Sequence, residues 1–109
     1  MKGEDKVYTG LLNGQVALIT GAGKGLGKAT LQSFAKAGAK VIYANDIIEG
    51  SIDECANEIM SEYNTSIIPV YFDVSDHDKV KGLIKQIKKE QGYIDTLVNN
   101  AGVMKDALI

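Results

Sequence analysis

Tryptophan is absent from this 109-residue chain, and cysteine, histidine and proline occur once each. Each scarcity removes a class of chemistry. Cys55 alone can form no intrachain disulfide and no Cys-rich metal site. With His77 as the sole histidine, neither a metal hydrolase nor a Ser-His-Asp triad has its parts within these residues. Net charge is also small, 12 basic against 14 acidic side chains, so nothing draws the chain to nucleic acid or to an anionic membrane. No apolar run approaches the roughly 18 residues of a membrane-spanning helix, and the opening residues are polar and charged. The cytoplasm is the expected compartment.

What is present suits one globular domain: 45% hydrophobic and 24% charged residues, enough for a single core. Residues 1–10 read as a loose tail with only Val7 and Tyr8 to anchor it. Gln15 to Thr20 is apolar on consecutive positions, as in a strand buried on both faces of a parallel sheet. Lys28 to Ala37 places Leu31, Phe34 and Ala35 at helical spacing, with Gly38 as a stop. Val41 to Ala44 is a second strand running into Asn45-Asp46. Ser51-Ile52-Asp53-Glu54 has the spacing of a capping box and should open a second helix, with Ile52, Cys55, Ala56, Ile59, Met60 and Tyr63 on its inner face. Cys55 is thereby a packing residue.

Ile67 to Phe72 follows as a third strand, which Pro69 assigns to a sheet edge or a strand start. Ser75 and Asp78 are expected to cap a third helix bearing Val80, Leu83, Ile84 and Ile87, with His77 exposed in its first turn. Gly92 ends that helix, Ile94 to Val98 forms the fourth strand, and Val103 to Ile109 is compatible with a further helical start. Alternation of this kind predicts an α/β fold, a doubly wound parallel sheet of about four strands and three helices. Ligands of such sheets lie outside the carboxyl ends of the strands. The glycine-rich turn after strand one, Asn45-Asp46, Asp73 and Asn99-Asn100 all fall there.

Thr20-Gly21-Ala22-Gly23-Lys24-Gly25-Leu26-Gly27 joins the first strand to the first helix. Glycine lets a phosphate approach backbone N–H groups closely, and a helix N-terminus adds donors and the positive end of its dipole. A Walker A loop needs Ser or Thr after Gly-Lys, whereas Gly25 follows Gly23-Lys24 and Ala29 follows Gly27-Lys28. ATP is therefore disfavoured. Strict G-x-G-x-x-G fails as well, because Leu26 and Lys28 stand where the third glycine belongs. The spacing left is Thr-Gly-x-x-x-Gly-x-Gly, which resembles the glycine motif of the short-chain dehydrogenase/reductase family. Asn99-Asn100-Ala101-Gly102, about 75 residues later, resembles the family's second motif, in family order and on the expected elements. The likeness runs from Leu12 to Ile109. Ala101-Gly102-Val103 with Asp106 and Leu108 is most similar to the 3-oxoacyl-[acyl-carrier-protein] reductase group.

The resemblance implies a Rossmann-type sheet and a nicotinamide dinucleotide, NAD or NADP, as ligand. It puts Gly21, Gly23, Lys24, Gly25, Leu26 and Gly27 around the phosphates, Asp73 and Val74 at the adenine, and Asn100, Ala101 and Gly102 near the nicotinamide ribose. Gly27 and Asp46 stand 19 residues apart, close to the spacing at which an acid takes the adenosine ribose hydroxyls of NAD. Asp46 would repel the 2′-phosphate of NADP and Lys24 would attract it. Repulsion together with lost solvation tilts the balance slightly to NAD. Counted without gaps, the family's acid position falls on Asn45, with Asp46 one later.

The family's proton donor is a tyrosine with a lysine four residues on, helped by a serine and often an asparagine. From Tyr8, Tyr43, Tyr63, Tyr71 and Tyr93 that step reaches Leu12, Ile47, Ile67, Ser75 and Leu97, so no pair matches. The chain can bind such a cofactor but cannot supply the proton. It is expected to be the amino-terminal, cofactor-binding part of a longer oxidoreductase that moves hydride between NAD(P) and a carbonyl or alcohol. Residues 1–109 would then be one incomplete domain, inactive alone, offering its open fourth strand to the rest of the chain or to a homo-oligomer partner. The alternatives are a non-enzymatic dinucleotide-binding module paired with a partner chain, and a remnant that binds nothing.

Overall fold

Buried consecutive residues need cover on two sides, and the first two strands have it. In the computed structural model, which describes residues 10–101, every residue of β1 (Val16–Thr20) and β2 (Val41–Asp46) is buried. With β3 (Ser66–Tyr71) and β4 (Thr96–Asn99) they form one parallel sheet in the order β3-β2-β1-β4. Leu18 lies opposite Tyr43 on one side and Leu97 on the other. The period-two pleat then divides the side chains between two cores. Ala17, Ile19, Ile42 and Ala44 pack under Leu31 and Ala35 of α1 (Gly25–Lys36) and Ile52, Cys55, Ala56 and Ile59 at α2 (Asp53–Glu62). Val16, Leu18, Val41 and Tyr43 pack under Leu83 and Ile87 of α3 (His77–Gln91). This is the doubly wound arrangement that the alternation predicts.

Several boundaries differ from the sequence reading. α1 begins at Gly25, inside the glycine motif and three residues before Lys28, because Gly25 takes φ +58° and turns the chain straight into the helix. The Ser51 capping box does not form. Ile52 occupies the N-cap of α2 and makes no side-chain cap bond. The tyrosine of β3 does the work instead: the Tyr71 hydroxyl accepts from Ile52 N at 2.9 Å and donates to Asp53 Oδ1 at 2.6 Å. Burial, followed by that bond to Asp53, pushes the Tyr71 phenol above its ordinary pKa. Met60 is more exposed than its expected inner-face position, although its sulfur accepts from Ile67 N at 3.4 Å.

Ser75 does not cap α3 either. Asp76 is the N-cap, accepting from Lys79 N at 3.2 Å, while the backbone N–H and hydroxyl of Ser75 both donate to Asp73 Oδ1. Gly92 closes α3 with a left-handed backbone, and His77 is exposed. β3 is an edge strand, where Pro69, opposite Ala44, removes no bond that the sheet needs. β4 is shorter than expected and is tied to β1 from both ends. Val16 N donates to Asp95 Oδ2 at 2.8 Å, and Thr20 Oγ1 donates to Asn99 Oδ1 at 3.0 Å. The expectations for the tail and for Val103 to Ile109 lie outside the described residues.

Candidate functional site

The glycine turn is shaped by two kinds of constraint. Gly21 has φ +61°, a backbone that only glycine adopts without strain. Gly27 is fixed by space: a Cβ there would overlap the Gly21 carbonyl, so α1 packs directly on the turn that precedes it. Gly21 also abuts Asn100 and Ala101, where an added Cβ would sit 3.1 Å from backbone atoms. Ala22 N donates to the Asn45 carbonyl at 2.9 Å, and Ala101 N donates to Thr20 Oγ1 at 3.2 Å. The turn is thereby anchored to β2 on one side and to the residues after β4 on the other.

Behind the turn, the N-terminus of α1 lacks compensation. Lys24, its N-cap, supplies no side-chain acceptor, and the first turn contains no acid, whereas α2 begins with Asp53 and Glu54 and α3 carries Asp78. The first N–H groups of a helix have no partner within it, and its dipole places roughly half a positive charge there. An anion at this end would satisfy both.

Asp46 and Asn45 have separate tasks. The Asn45 amide donates to the Val70 and Phe72 carbonyls, each at 3.1 Å, and so ties the end of β2 to the end of β3. Asp46, 8% exposed, aims its carboxylate at the glycine turn: Oδ2 accepts from Gly23 N at 2.8 Å and Oδ1 from Ile48 N at 3.1 Å. The acid beside the turn is thus Asp46, and the gapless position, Asn45, is a structural tie. Asp73 is exposed, and the Ser75 N–H, then the Ser75 hydroxyl, hold its carboxyl below the usual carboxylate pKa. Val74 beside it is buried.

These pieces surround one cleft of about 570 Å³ at the carboxyl ends of the strands, within the range of small-molecule sites. Gly21, Lys24, Gly25, Leu26, Gly27, Asp46, Asp73, Val74, Asn100 and Ala101 line it. Gly23 sits just behind, held by Asp46. Gly102 lies outside the described residues. Sequence reasoning passed over Ile47 and Phe72, which also line the cleft. Each is a chain neighbour of a residue it did select, and one more position at each strand end would have included them. The residues present fit a dinucleotide. A glycine turn with no Cβ in the way leads into an uncompensated helix end, and Asn100 of the lining has a buried Nδ2 with no protein partner.

Sheet order, helix placement and a cleft at the crossover define a doubly wound dinucleotide-binding fold. A family model described as short chain dehydrogenase matches residues 15–109, and the chain belongs to that family. The 3-oxoacyl-[acyl-carrier-protein] reductase of Thermotoga maritima is 42% identical over 98 residues, covering 90% of this chain and 39% of that protein. L-sorbose reductase from Gluconobacter frateurii, solved with NADPH and L-sorbose, superposes with a TM-score of 0.76 at 32% identity, over 84% of this chain and 35% of that one. A family member from Burkholderia phymatum, solved in complex with NAD, gives 0.71 at 30% identity, over 79% of this chain and 30% of its own. The chain thus spans about two fifths or less of the length of these relatives. Among the described residues no helix is long and apolar enough to cross a membrane.

Proposed function

We propose that residues 1–109 form an incomplete NAD(P)-binding unit of a short-chain oxidoreductase. In the whole protein, hydride would pass between the nicotinamide and a carbonyl or alcohol. The single observation that carries this reading is the meeting of four separate chain segments at one cleft: the glycine turn, Asp46, Asp73-Val74 and Asn100-Ala101. The nicotinamide supplies the hydride chemistry, and this chain's residues bind and orient it. Gly21, Gly25 and Gly27 bring backbone N–H groups up to the pyrophosphate, with the open end of α1 behind them. Asp73 and the Val74 backbone take the adenine, and Asn100 with Ala101 and Gly102 flank the nicotinamide ribose. Lys24 lies at the mouth, and Asp46 occupies the floor where a 2′-phosphate would have to settle.

NAD is the favoured cofactor. A carboxylate already bonded to two backbone N–H groups cannot move away from a phosphate without leaving both unpaired. Titration with NADH and NADPH, followed by calorimetry, tests the reading. Saturable binding with NADH the tighter ligand is expected, and binding of neither by folded protein would overturn it. The catalytic tyrosine and lysine are assigned to sequence beyond these residues, so homogeneous 109-residue protein should show no turnover.

A further inference from the structure

Of the two acids that line the cleft, Asp46 is buried and Asp73 is exposed. The backbone around Asp73 is nonetheless held on both sides. Before it, Phe72 N donates to the Asp46 carbonyl and the Phe72 carbonyl accepts from the Asn45 amide, each at 3.1 Å. After it, Val74 is buried against Val80, Asp76 N donates to the Asp73 carbonyl at 2.9 Å, and Asp76 caps α3. Only the Asp73 side chain is left to be fixed. An exposed carboxylate samples several rotamers, and ordering it at the moment of binding costs affinity.

Ser75 removes that freedom. Its backbone N–H donates to Asp73 Oδ1 at 2.9 Å, and its hydroxyl donates to the same oxygen at 2.8 Å. A carboxylate accepts through two oxygens, and both donors here are spent on one of them. Asp73 Oδ2 takes no bond among the described residues. The same two bonds hold the carboxyl below the usual carboxylate pKa, so it remains an acceptor with no proton to offer. We propose that Ser75 is a positioning residue, which locks Asp73 through Oδ1 and so sets Oδ2 as the acceptor for the exocyclic amino group of a purine. The contact of Asp73 with adenine belongs to the dinucleotide reading above, on which the assignment rests, and Ser75 acts on it without touching the ligand. Selection follows from the lock. A fixed acceptor favours a 6-amino purine and opposes a 6-oxo purine, whose oxygen is itself an acceptor, whereas a carboxylate that swings away distinguishes them less.

In the protein at the full length of its reading frame, calorimetric titration with ADP and with IDP reads the preference for the amino group. Ser75→Ala keeps the backbone N–H and removes the hydroxyl bond alone. It should lower the ratio of ADP to IDP affinity roughly 2- to 10-fold, the range for one hydrogen bond, with little loss for IDP. Ser75→Thr retains a hydroxyl in the same place and should retain the ratio. A ratio unchanged in Ser75→Ala overturns the positioning role. Equal weakening of both nucleotides with a lowered melting temperature also overturns it, in favour of a merely structural serine. A ratio lowered alike in both variants does the same, since shape and not the hydroxyl would then be responsible. If the unaltered protein binds ADP and IDP equally, Asp73 does not read the amino group, and the role of Ser75 falls while the dinucleotide site stands. Binding of neither nucleotide removes the dinucleotide reading, and Ser75 falls with it.

Discussion

Gly27 carries no side chain because the Gly21 carbonyl already fills the place of its Cβ. Gly27→Ala should force α1 off the turn and cost about 1–3 kcal/mol, the usual range for overpacking. Thermal unfolding would read the loss, and NADH titration should show binding abolished. Asp46→Ala works differently. It leaves the Gly23 and Ile48 N–H groups without their acceptor, at about 1–3 kcal/mol, and removes the charge that opposes a 2′-phosphate. The ratio of NADPH to NADH affinity should rise, and an unchanged ratio would remove Asp46 from cofactor choice. At Cys55, burial pushes the thiol pKa up, so thiolate is scarce at neutral pH. Native protein should react slowly with a disulfide reagent, and urea should release the block.

At the scale of elements, the sequence told more about which segments form than about how their ends are closed. Consecutive apolar residues in β1 and β2 and the stripe of Val80, Leu83 and Ile87 were legible because burial repeats along them. The N-caps were not, because Ser51 and Ser75 satisfy local spacing rules while the Ser75 hydroxyl turns back to Asp73 and the Ser51 hydroxyl bonds nothing. Tyr71, from another element, takes the place meant for Ser51. Asp76→Ala should therefore destabilise α3 by about 1 kcal/mol, and Ser75→Ala should act only through Asp73, a contrast that paired denaturant curves would show. The same distinction explains why the cleft could be assembled from strand ends while Asp46 needed the structure to separate it from Asn45.

The Tyr43 hydroxyl donates to Glu90 Oε1 at 2.7 Å and joins β2 to the end of α3. That bond, then the one from Gln86, holds the Glu90 carboxyl below its ordinary pKa. The sign follows from linkage: the contribution is in place above the ordinary glutamate range and is lost as pH falls through the lowered value. Tyr43→Phe should flatten the acid limb of a stability-against-pH curve, and an unaltered limb would show that the contact contributes nothing.

For the whole molecule, protection should follow the sheet order. β1 and β2 are bonded on both sides and wholly buried, so their amides should exchange last, and the amides of β3 and β4 earlier. Hydrogen exchange read by mass spectrometry would reveal a reversed order if the edges were the more stable part.

The tie between β1 and β4 also bears on how the protein is made. Thr20 waits for Asn99, and Val16 for Asp95, each partner 79 residues later in the chain. Contacts so distant in sequence form late. On the ribosome, β1 would emerge before β2, pair with it, and keep its other edge uncovered until β4 had been translated. That interval makes the nascent chain a substrate for chaperones that bind exposed strands, and a slow codon placed just before Asp95 would lengthen it.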